Sequence, residues 1–392
     1  MDCIWLGQQK RIWVVKMVKN KIKKILKAAS PTLISIGIGL IFGFLIMLVT
    51  APQEAFQGLI MLLTGGLSTG LKGIGDVLYF AGPYILAGLA VGFAFKTGLF
   101  NIGASGQIMI GGFVALYIGI NVPMPSGIHY LVALICGVLA GAIVGAIPGI
   151  LKALFNVNEV VTCIMLNYAT LYYVMFQLVQ SNMVNPLTTF SKNPLSTAYA
   201  PNLNFDQIFN GSSLDISIFI ALIIAVVIHI ILNKTTLGYE LKAVGYNPQG
   251  SKYAGINNKR NMIISMAISG ALAGLAGVCL YLNPTSGKRL TMSASLLSEG
   301  FDGITVSLLG ASNPIGIFFS GLFISYIRVG GSRLQLLDGI SPEIISIITA
   351  TIIYLSALSS VLQRQFSRIV GFIKKKILKH KVVEKTKGGE TE

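Results

Sequence analysis

Long apolar segments separated by short polar ones make up most of the chain. Because a bilayer core about 30 Å thick needs about 20 apolar residues per helix, we predict ten membrane spans from this pattern. They are residues 31–50, 76–95, 103–121, 128–150, 159–180, 215–233, 261–282, 298–311, 314–331 and 341–362. The glycine-interrupted segment 56–71 is predicted as an interfacial or partly inserted element, and 298–311 as spanning or re-entrant. The predicted fold class is an all-α polytopic membrane protein.

The basic residues predict how these spans are oriented. Lys and Arg number 30 against 14 Asp and Glu, and 22 of the 30 lie in residues 1–30, 234–260 and 364–387. Positive charge concentrates in cytoplasmic segments, so both termini are predicted to be cytoplasmic, as an even number of spans requires. The predicted organisation is a basic N-terminal segment that contacts membrane lipid, a transmembrane domain with one cytoplasmic and one external loop, and a basic tail. These regions are 1–30, 31–362 (with loops 234–260 and 181–214) and 363–392.

Composition excludes several function classes. Hydrophobic residues make up 53% of the chain and charged residues 11%, against roughly 25% charged residues in soluble domains, and the mean hydropathy is +0.74. This excludes a soluble enzyme, a disordered protein and a disulfide scaffold. The clustered charge also differs from the basic face of a nucleic-acid-binding protein, so no nucleic-acid partner is predicted.

The chain carries no motif typical of catalysis or metal binding. The nearest approach to a phosphate-binding loop, GGLSTGLK at 65–72, has leucine where the lysine must follow the glycine. The four cysteines and three histidines are scattered without ligand spacing. We therefore predict no catalytic residue, no metal and no cofactor, and ATP hydrolysis is not expected of this chain alone.

Three polar clusters lie inside or beside the predicted spans, where polar groups are costly and often functional. The residues that they contribute as candidates are Asn101 and Gln107; Asn158, Asn167 and Tyr168; and Glu299 and Asp302. Glycine and polar residues at the start of an apolar helix are typical of a broken helix, whose free N–H groups face a cavity or substrate. Asn101 and Asp302 are also good helix N-caps, and capping and cavity lining remain compatible alternatives.

The loop 234–260 has the start and stop signals of short helices. Gly245 can end one helix, Asn247 can cap the next with Pro248 at its first position, and Gly255 can end that one. A cytoplasmic loop folded in this way is typical of a docking surface. The alternative is a plain solvated linker, which would have little need for such signals.

Four segments carry a family resemblance: GLFNIGASGQIMIGG (98–112), NEVVTCIMLNY (158–168), LGYELKAVGYNPQGSKYAGI (237–256) and SEGFDGITVSLLGASNPIG (298–316). They resemble the permease subunits of bacterial ABC importers, in the branch that serves ribose-type sugars, branched-chain amino acids and nucleosides, and are most similar to the nucleoside permeases. One departure is Ser105, which stands where the family pattern has an acidic residue.

The resemblance implies a protein of the bacterial cytoplasmic membrane that works with partners. These are an ABC ATPase, a second permease that forms a heterodimer with it, and an extracellular substrate-binding lipoprotein. It also implies an inverted repeat that relates spans 2–5 to spans 7–10. A coupling element at about 239–255 would fit the ATPase, with Glu240, Gly245, Asn247, Pro248, Ala254 and Gly255 as its residues.

The expected function is nucleoside uptake, driven by the ATPase, through a path lined by the seven polar candidates. A ribose-type sugar or a branched-chain amino acid is the main alternative substrate. An ion-coupled secondary transporter would be expected to keep an acidic residue or histidine in mid-span. Glu159, Glu299 and Asp302 lie near the ends of predicted spans, which disfavours that class. A passive channel would not need the docking loop.

Overall fold

The computed structural model describes residues 37–201, 203–285 and 288–334, together with residues 347, 350, 351 and 354. It divides into two units, one made of residues 1–52 and 343–392 and the other of residues 53–342. The first unit contains helix α1 (Gly37–Thr50). The second contains twelve α-helices and a 3₁₀ turn, Ser196–Ala198, and its described residues form only isolated β-bridges outside them.

Seven helices within the described residues are long and apolar enough to cross a membrane. They are α3 (Leu71–Lys96), α4 (Ala104–Asn121), α5 (Ile128–Phe155), α6 (Glu159–Gln180), α8 (Ser217–Lys234), α11 (Asn258–Tyr281) and α13 (Pro314–Leu334). Each falls on a predicted span, so the all-helical membrane fold is confirmed. The predicted span 341–362 lies outside the described residues apart from four positions, and the full set of ten stays a prediction.

The remaining helices of the second unit are shorter. They are α2 (Ala55–Ser68), α7 (Phe205–Ile208), α9 (Thr236–Tyr246), α10 (Pro248–Tyr253) and α12 (Ser298–Leu309). The 12 residues of α12 reach only about 18 Å at 1.5 Å per residue, which is shorter than a bilayer core. Whether the segment 298–311 spans or re-enters stays a prediction.

Glycine allows three helices to pack with their backbones nearly in contact. A Cβ atom on Gly274 of α11 would lie 2.6 Å from the carbonyl oxygen of Gly137 and 3.0 Å from Cα of Gly141, both on α5. A Cβ atom on Gly111 of α4 would lie 2.5 Å from Cα of Gly274. Small residues at such contacts are the usual way in which membrane helices associate. We call Gly111, Gly137, Gly141, Gly270 and Gly274 the glycine interface.

Helices α3 and α11 form the centre of the second unit and pack against most of its other spans. Helix α3, which is buried along most of its length, packs against α8, α11, α12 and α13, and α11 packs in addition against α4 and α5. By contrast, α5, α6 and α8 keep large apolar side chains exposed along one face. Exposed apolar faces are expected where a helix contacts lipid or another membrane protein.

Candidate functional site

The chain between α3 and α4 is folded around the side chain of Asn101. Its Nδ2 group donates to Gln107 Oε1 and to Ser269 Oγ, both at 2.7 Å. Its Oδ1 atom accepts from Gln107 Nε2 at 3.1 Å and from the backbone N–H of Gly103 at 3.0 Å. Asn101 and Gln107 are buried, and their amide groups form a reciprocal pair inside the protein. This network ties the start of α4 to α11.

Asn167 of α6 also binds the start of α4. Its Oδ1 atom accepts from the backbone N–H of Gly106 at 2.8 Å, and its Nδ2 group donates to the carbonyl of Ile102 at 3.0 Å. The first four N–H groups of a helix have no partner within the helix, so a side chain from a neighbouring helix here supplies the cap. Asn101 and Asn167, two of the predicted candidates, therefore both hold the start of α4.

Helices α4 and α12 begin at the same place in the bundle. Ser105 Oγ donates to the carbonyl of Leu297 at 2.8 Å, and a Cβ atom on Gly300 would collide with the backbone of Ser105. Both helices therefore direct their N-terminal ends, which carry partial positive charge, at this contact. The acidic residue nearest to it is Glu299, the residue before Gly300, which is buried.

Glu299 belongs to a network of four charged side chains. Lys288 pairs with Glu299, while Arg328 of α13 lies 3.6 Å from Glu299 Oε1 and 3.6 Å from Asp302 Oδ2. Arg328 also donates to the hydroxyl of Tyr84 and stacks over its ring. The sequence analysis named Glu299 and Asp302 but not Arg328. A single arginine inside an otherwise apolar span was the signal that could have found it.

Asn158 and Tyr168 lie elsewhere on α6. Asn158 caps this helix by accepting from the N–H of Val160 at 2.9 Å, and Lys152 pairs with Glu159 at 3.1 Å. Tyr168 is 48% exposed, and Tyr172 and Phe176 follow it at helical spacing on the same exposed face. The structure thus separates these two candidates from the buried amide network. Assignment of all seven candidates to the substrate path stays a prediction.

The loop 234–260 folds into two short helices, as its helix start and stop signals predict. Asn247 Oδ1 accepts from the N–H groups of Gln249 and Gly250, with Pro248 in the first turn of α10. Gly255 follows α10 with a φ of +79°, which glycine adopts without strain. Glu240 accepts from Asn261 Nδ2 at 2.9 Å, which holds α9 to α11.

The outer surfaces of α9 and α10 expose aromatic residues. Tyr246, next to Gly245, is 89% exposed and Tyr253, next to Ala254, is 93% exposed. Tyrosine side chains so exposed are unusual on a solvated linker and are enriched at protein interfaces. The sequence analysis named the residues that begin and end the two helices and missed these tyrosines.

A second polar region lies between the loop 181–214 and the segment after α11. Lys192, Lys288 and Arg289 line a cleft of about 100 Å³ there, with Tyr199 and Asn283. Burial raises the pKa of Tyr199, against an opposing effect of Arg289. Asn283 donates to the buried carboxyl group of Asp215 at 2.8 Å. The cleft is thus lined by three basic side chains, and Asn283 connects it to a buried acid.

The amide network makes one direct prediction. We expect Asn101→Ala to lower stability by about 2 kcal/mol, because it leaves several buried partners without a hydrogen bond. Thermal unfolding in detergent and uptake at matched expression would measure this. Asn121→Ala at the exposed end of α4 is the control and should change neither. Intact uptake by the Asn101 or Asn167 alanine variants at normal expression would remove these residues from the path.

Comparison with known proteins places this geometry in context. The family described as "Branched-chain amino acid transport system / permease component" matches residues 73–357. The nucleoside ABC transporter permease protein NupB of Lactococcus lactis is 38% identical, over 88% of this chain and 94% of its own. The guanosine ABC transporter permease protein NupP of Bacillus subtilis is 37% identical, over 88% and 96%. A second Lactococcus lactis permease, NupC, is 27% identical over 66% and 82%. No solved structure matches the chain.

Proposed function

The chain belongs to the family of branched-chain amino acid transport system permease components, and we propose that it forms the translocation path of an ABC importer for nucleosides. The observation that carries this proposal is similarity along nearly the whole chain to permeases named for nucleosides and for guanosine. A nucleoside is neutral and has an aromatic base, so its path needs amide and aromatic side chains. A ribose-type sugar or a branched-chain amino acid is the alternative substrate.

The proposed importer has four kinds of component. This chain pairs with a second permease, an ABC ATPase supplies ATP hydrolysis, and an extracellular lipoprotein delivers the substrate. A heterodimer is supported by the similarity of this chain to two different permeases of one organism, NupB and NupC. The proposed location is the bacterial cytoplasmic membrane, with both termini cytoplasmic.

We propose ten spans and an inverted repeat that relates α3 and α4 to α11 and α12. A two-fold axis in the membrane plane would exchange these pairs, so α3 should contact α12 and α13 as α11 contacts α4 and α5. Both sets of contacts are present, and α3 and α11 also pack against each other, which supports the proposal. The shared origin of α4 and α12 at Ser105 and Gly300 lies where such an axis would pass.

The coupling element comprises α9 and α10. Its attachment to the spans is close, because a Cβ atom on Gly245 would collide with the carbonyl of Lys96 at the end of α3. Movement of α9 by the ATPase would therefore be transmitted directly to α3. Tyr246 and Tyr253 are proposed to insert into the ATPase surface, since both side chains are exposed.

The exposed face of α6 is proposed to line the path at the contact between the two permeases. Tyr168 and Tyr172 lie near the middle of α6 (Glu159–Gln180) and are exposed. A hydroxyl group in mid-bilayer lacks hydrogen-bond partners in lipid, so this face should contact protein or an aqueous cavity. Their rings can also stack on a nucleobase.

Reconstitution with its partners tests the proposed function. We expect ATP hydrolysis by the complex of both permeases, the ATPase and the receptor in proteoliposomes to rise when guanosine is added. Ribose and leucine should have no effect. Stimulation by ribose or leucine alone would support the assignment as an ABC importer but would contradict the nucleoside as its substrate. If no ATPase copurifies and uptake collapses with the proton gradient, the importer assignment would be wrong.

A double variant, Tyr246→Ala with Tyr253→Ala, tests coupling in the same reconstituted complex. Basal ATP hydrolysis by the ATPase should remain, whereas stimulation by receptor and guanosine should fall at least fivefold. Tyr117→Ala, which removes an exposed tyrosine of α4 outside the coupling element, controls for the general loss of an aromatic side chain. Equal stimulation in all three complexes would remove the two tyrosines from the coupling surface.

A further inference from the structure

A polar cleft lies beside the contact between the coupling helix α9 and the end of α3, and the ends of two further spans also line it. Its volume is about 320 Å³. It is lined by Lys96 at the end of α3, Asn233 near the end of α8, Asn313 before the start of α13, and Lys242 and Tyr246 of α9. Of these residues only Tyr246 has a proposed role in docking of the ATPase, and the two lysines and two asparagines have none.

Two positive charges face this cleft, and no carboxylate is among its lining residues. Lys242 Nζ donates to Asn233 Oδ1 at 2.9 Å, a neutral partner that leaves the charge uncompensated. The ion pairs formed by the described residues include neither Lys96 nor Lys242. Two ammonium groups that share one cleft repel each other, so an anion bound between them would be stabilised by both.

The surroundings of the cleft indicate which anion it binds. It lies where α3 and α8 end and α13 begins, and the ends of membrane spans are expected near the lipid headgroups. Apolar side chains next to it are exposed on two neighbouring helices, Val227 and Ile230 of α8 and Ile315 and Phe319 of α13. Basic pockets between span ends on the cytoplasmic side are known sites for anionic lipid headgroups.

We propose that this cleft binds the phosphate group of an anionic phospholipid, whose acyl chains lie along the exposed faces of α8 and α13. The assignment of this side as cytoplasmic rests on the proposed function. A bound lipid would contact both α9 and the spans that α9 moves. It would thereby stabilise the attachment of the coupling helix to the membrane domain.

Lipid binding by the purified full-length chain tests this proposal. After delipidation in detergent, phosphatidylglycerol is titrated and the bound lipid is counted by native mass spectrometry. We expect the double variant Lys96→Gln/Lys242→Gln to bind its tightest lipid roughly tenfold or more weakly. Lys96→Arg/Lys242→Arg should bind like the wild type, and so should Lys234→Gln, which removes a lysine of α8 outside the lining.

The outcomes separate a lipid from a free anion. Inorganic phosphate is added to the wild type in a second arm and is expected to compete weakly, because it lacks acyl chains. Equal phosphatidylglycerol binding by the wild type and the glutamine double variant would overturn the proposal. If the wild type binds inorganic phosphate but not phosphatidylglycerol, the cleft binds a free anion and the proposed lipid ligand is wrong. Because no transport is measured, either failure leaves the proposed import of nucleosides untouched.

Discussion

Replacement of Gly274 by leucine is expected to prevent the permease from folding. The residue lies between α4 and α5, with Gly137 and Gly111 so close that even a Cβ atom would meet backbone atoms. Backbone cannot yield as a flexible side chain can, so the helices would have to separate. Overpacking costs about 1–3 kcal/mol where a core can adjust, and we expect at least the upper end here. Yield of monodisperse protein by size-exclusion chromatography would measure the loss.

Gly37→Leu is the matched control for this variant. Gly37 begins α1 and has no atom within 4 Å of its Cβ position, so leucine there should leave the yield unchanged. Gly274→Ala should give an intermediate loss, because it adds only one methyl group at the same contact. Normal yields and thermal stability for Gly274→Leu would mean that α4, α5 and α11 are not packed through the glycine interface.

Arg328→Met is expected to lower the stability of the permease. It leaves Asp302 without its cationic partner and removes one of the two cations beside Glu299. Removal of one member of a fully buried ion pair costs about 3–5 kcal/mol. Because 38% of the Arg328 side chain is exposed, we expect about 2 kcal/mol. Thermal unfolding in detergent would measure the change.

Two further variants identify the cause of that loss. Arg333→Gln removes an arginine from the same helix, outside the network, and should have little effect. Asp302→Asn combined with Arg328→Met should be more stable than Arg328→Met alone, since the amide removes the unpaired charge. Strictly additive losses would mean that the two side chains do not interact.

The helices were predictable because the lengths of apolar segments are set by bilayer thickness. The prediction 128–150 compares with α5 at Ile128–Phe155, and 159–180 with α6 at Glu159–Gln180. The short helices α9 and α10 were also predictable, because Asn247, Pro248 and Gly255 act on their own neighbours in the chain. Predictions of this kind need no knowledge of the tertiary fold.

The contacts of the polar candidates could not be predicted in the same way. Asn101 has the same local sequence whether it caps a helix, lines a cavity or pairs with Gln107, and only packing against Ser269 decides between these. Similarly, Arg328 and Glu299 are separated by 29 positions and meet only because α12 and α13 fold back on each other. Such pairs depend on tertiary packing rather than on spacing.

The meeting of α4 and α12 at Ser105 and Gly300 also has a consequence for ion leakage. The nearby side chains Glu299, Asp302, Lys288 and Arg328 sum to zero formal charge. The two helix N-termini, each equivalent to about half a positive charge, therefore leave this point of the bundle electropositive. Helix ends arranged in this way repel protons and other cations. If the proposed path passes this point, a neutral solute would cross without that barrier and the ion gradients of the membrane would be kept.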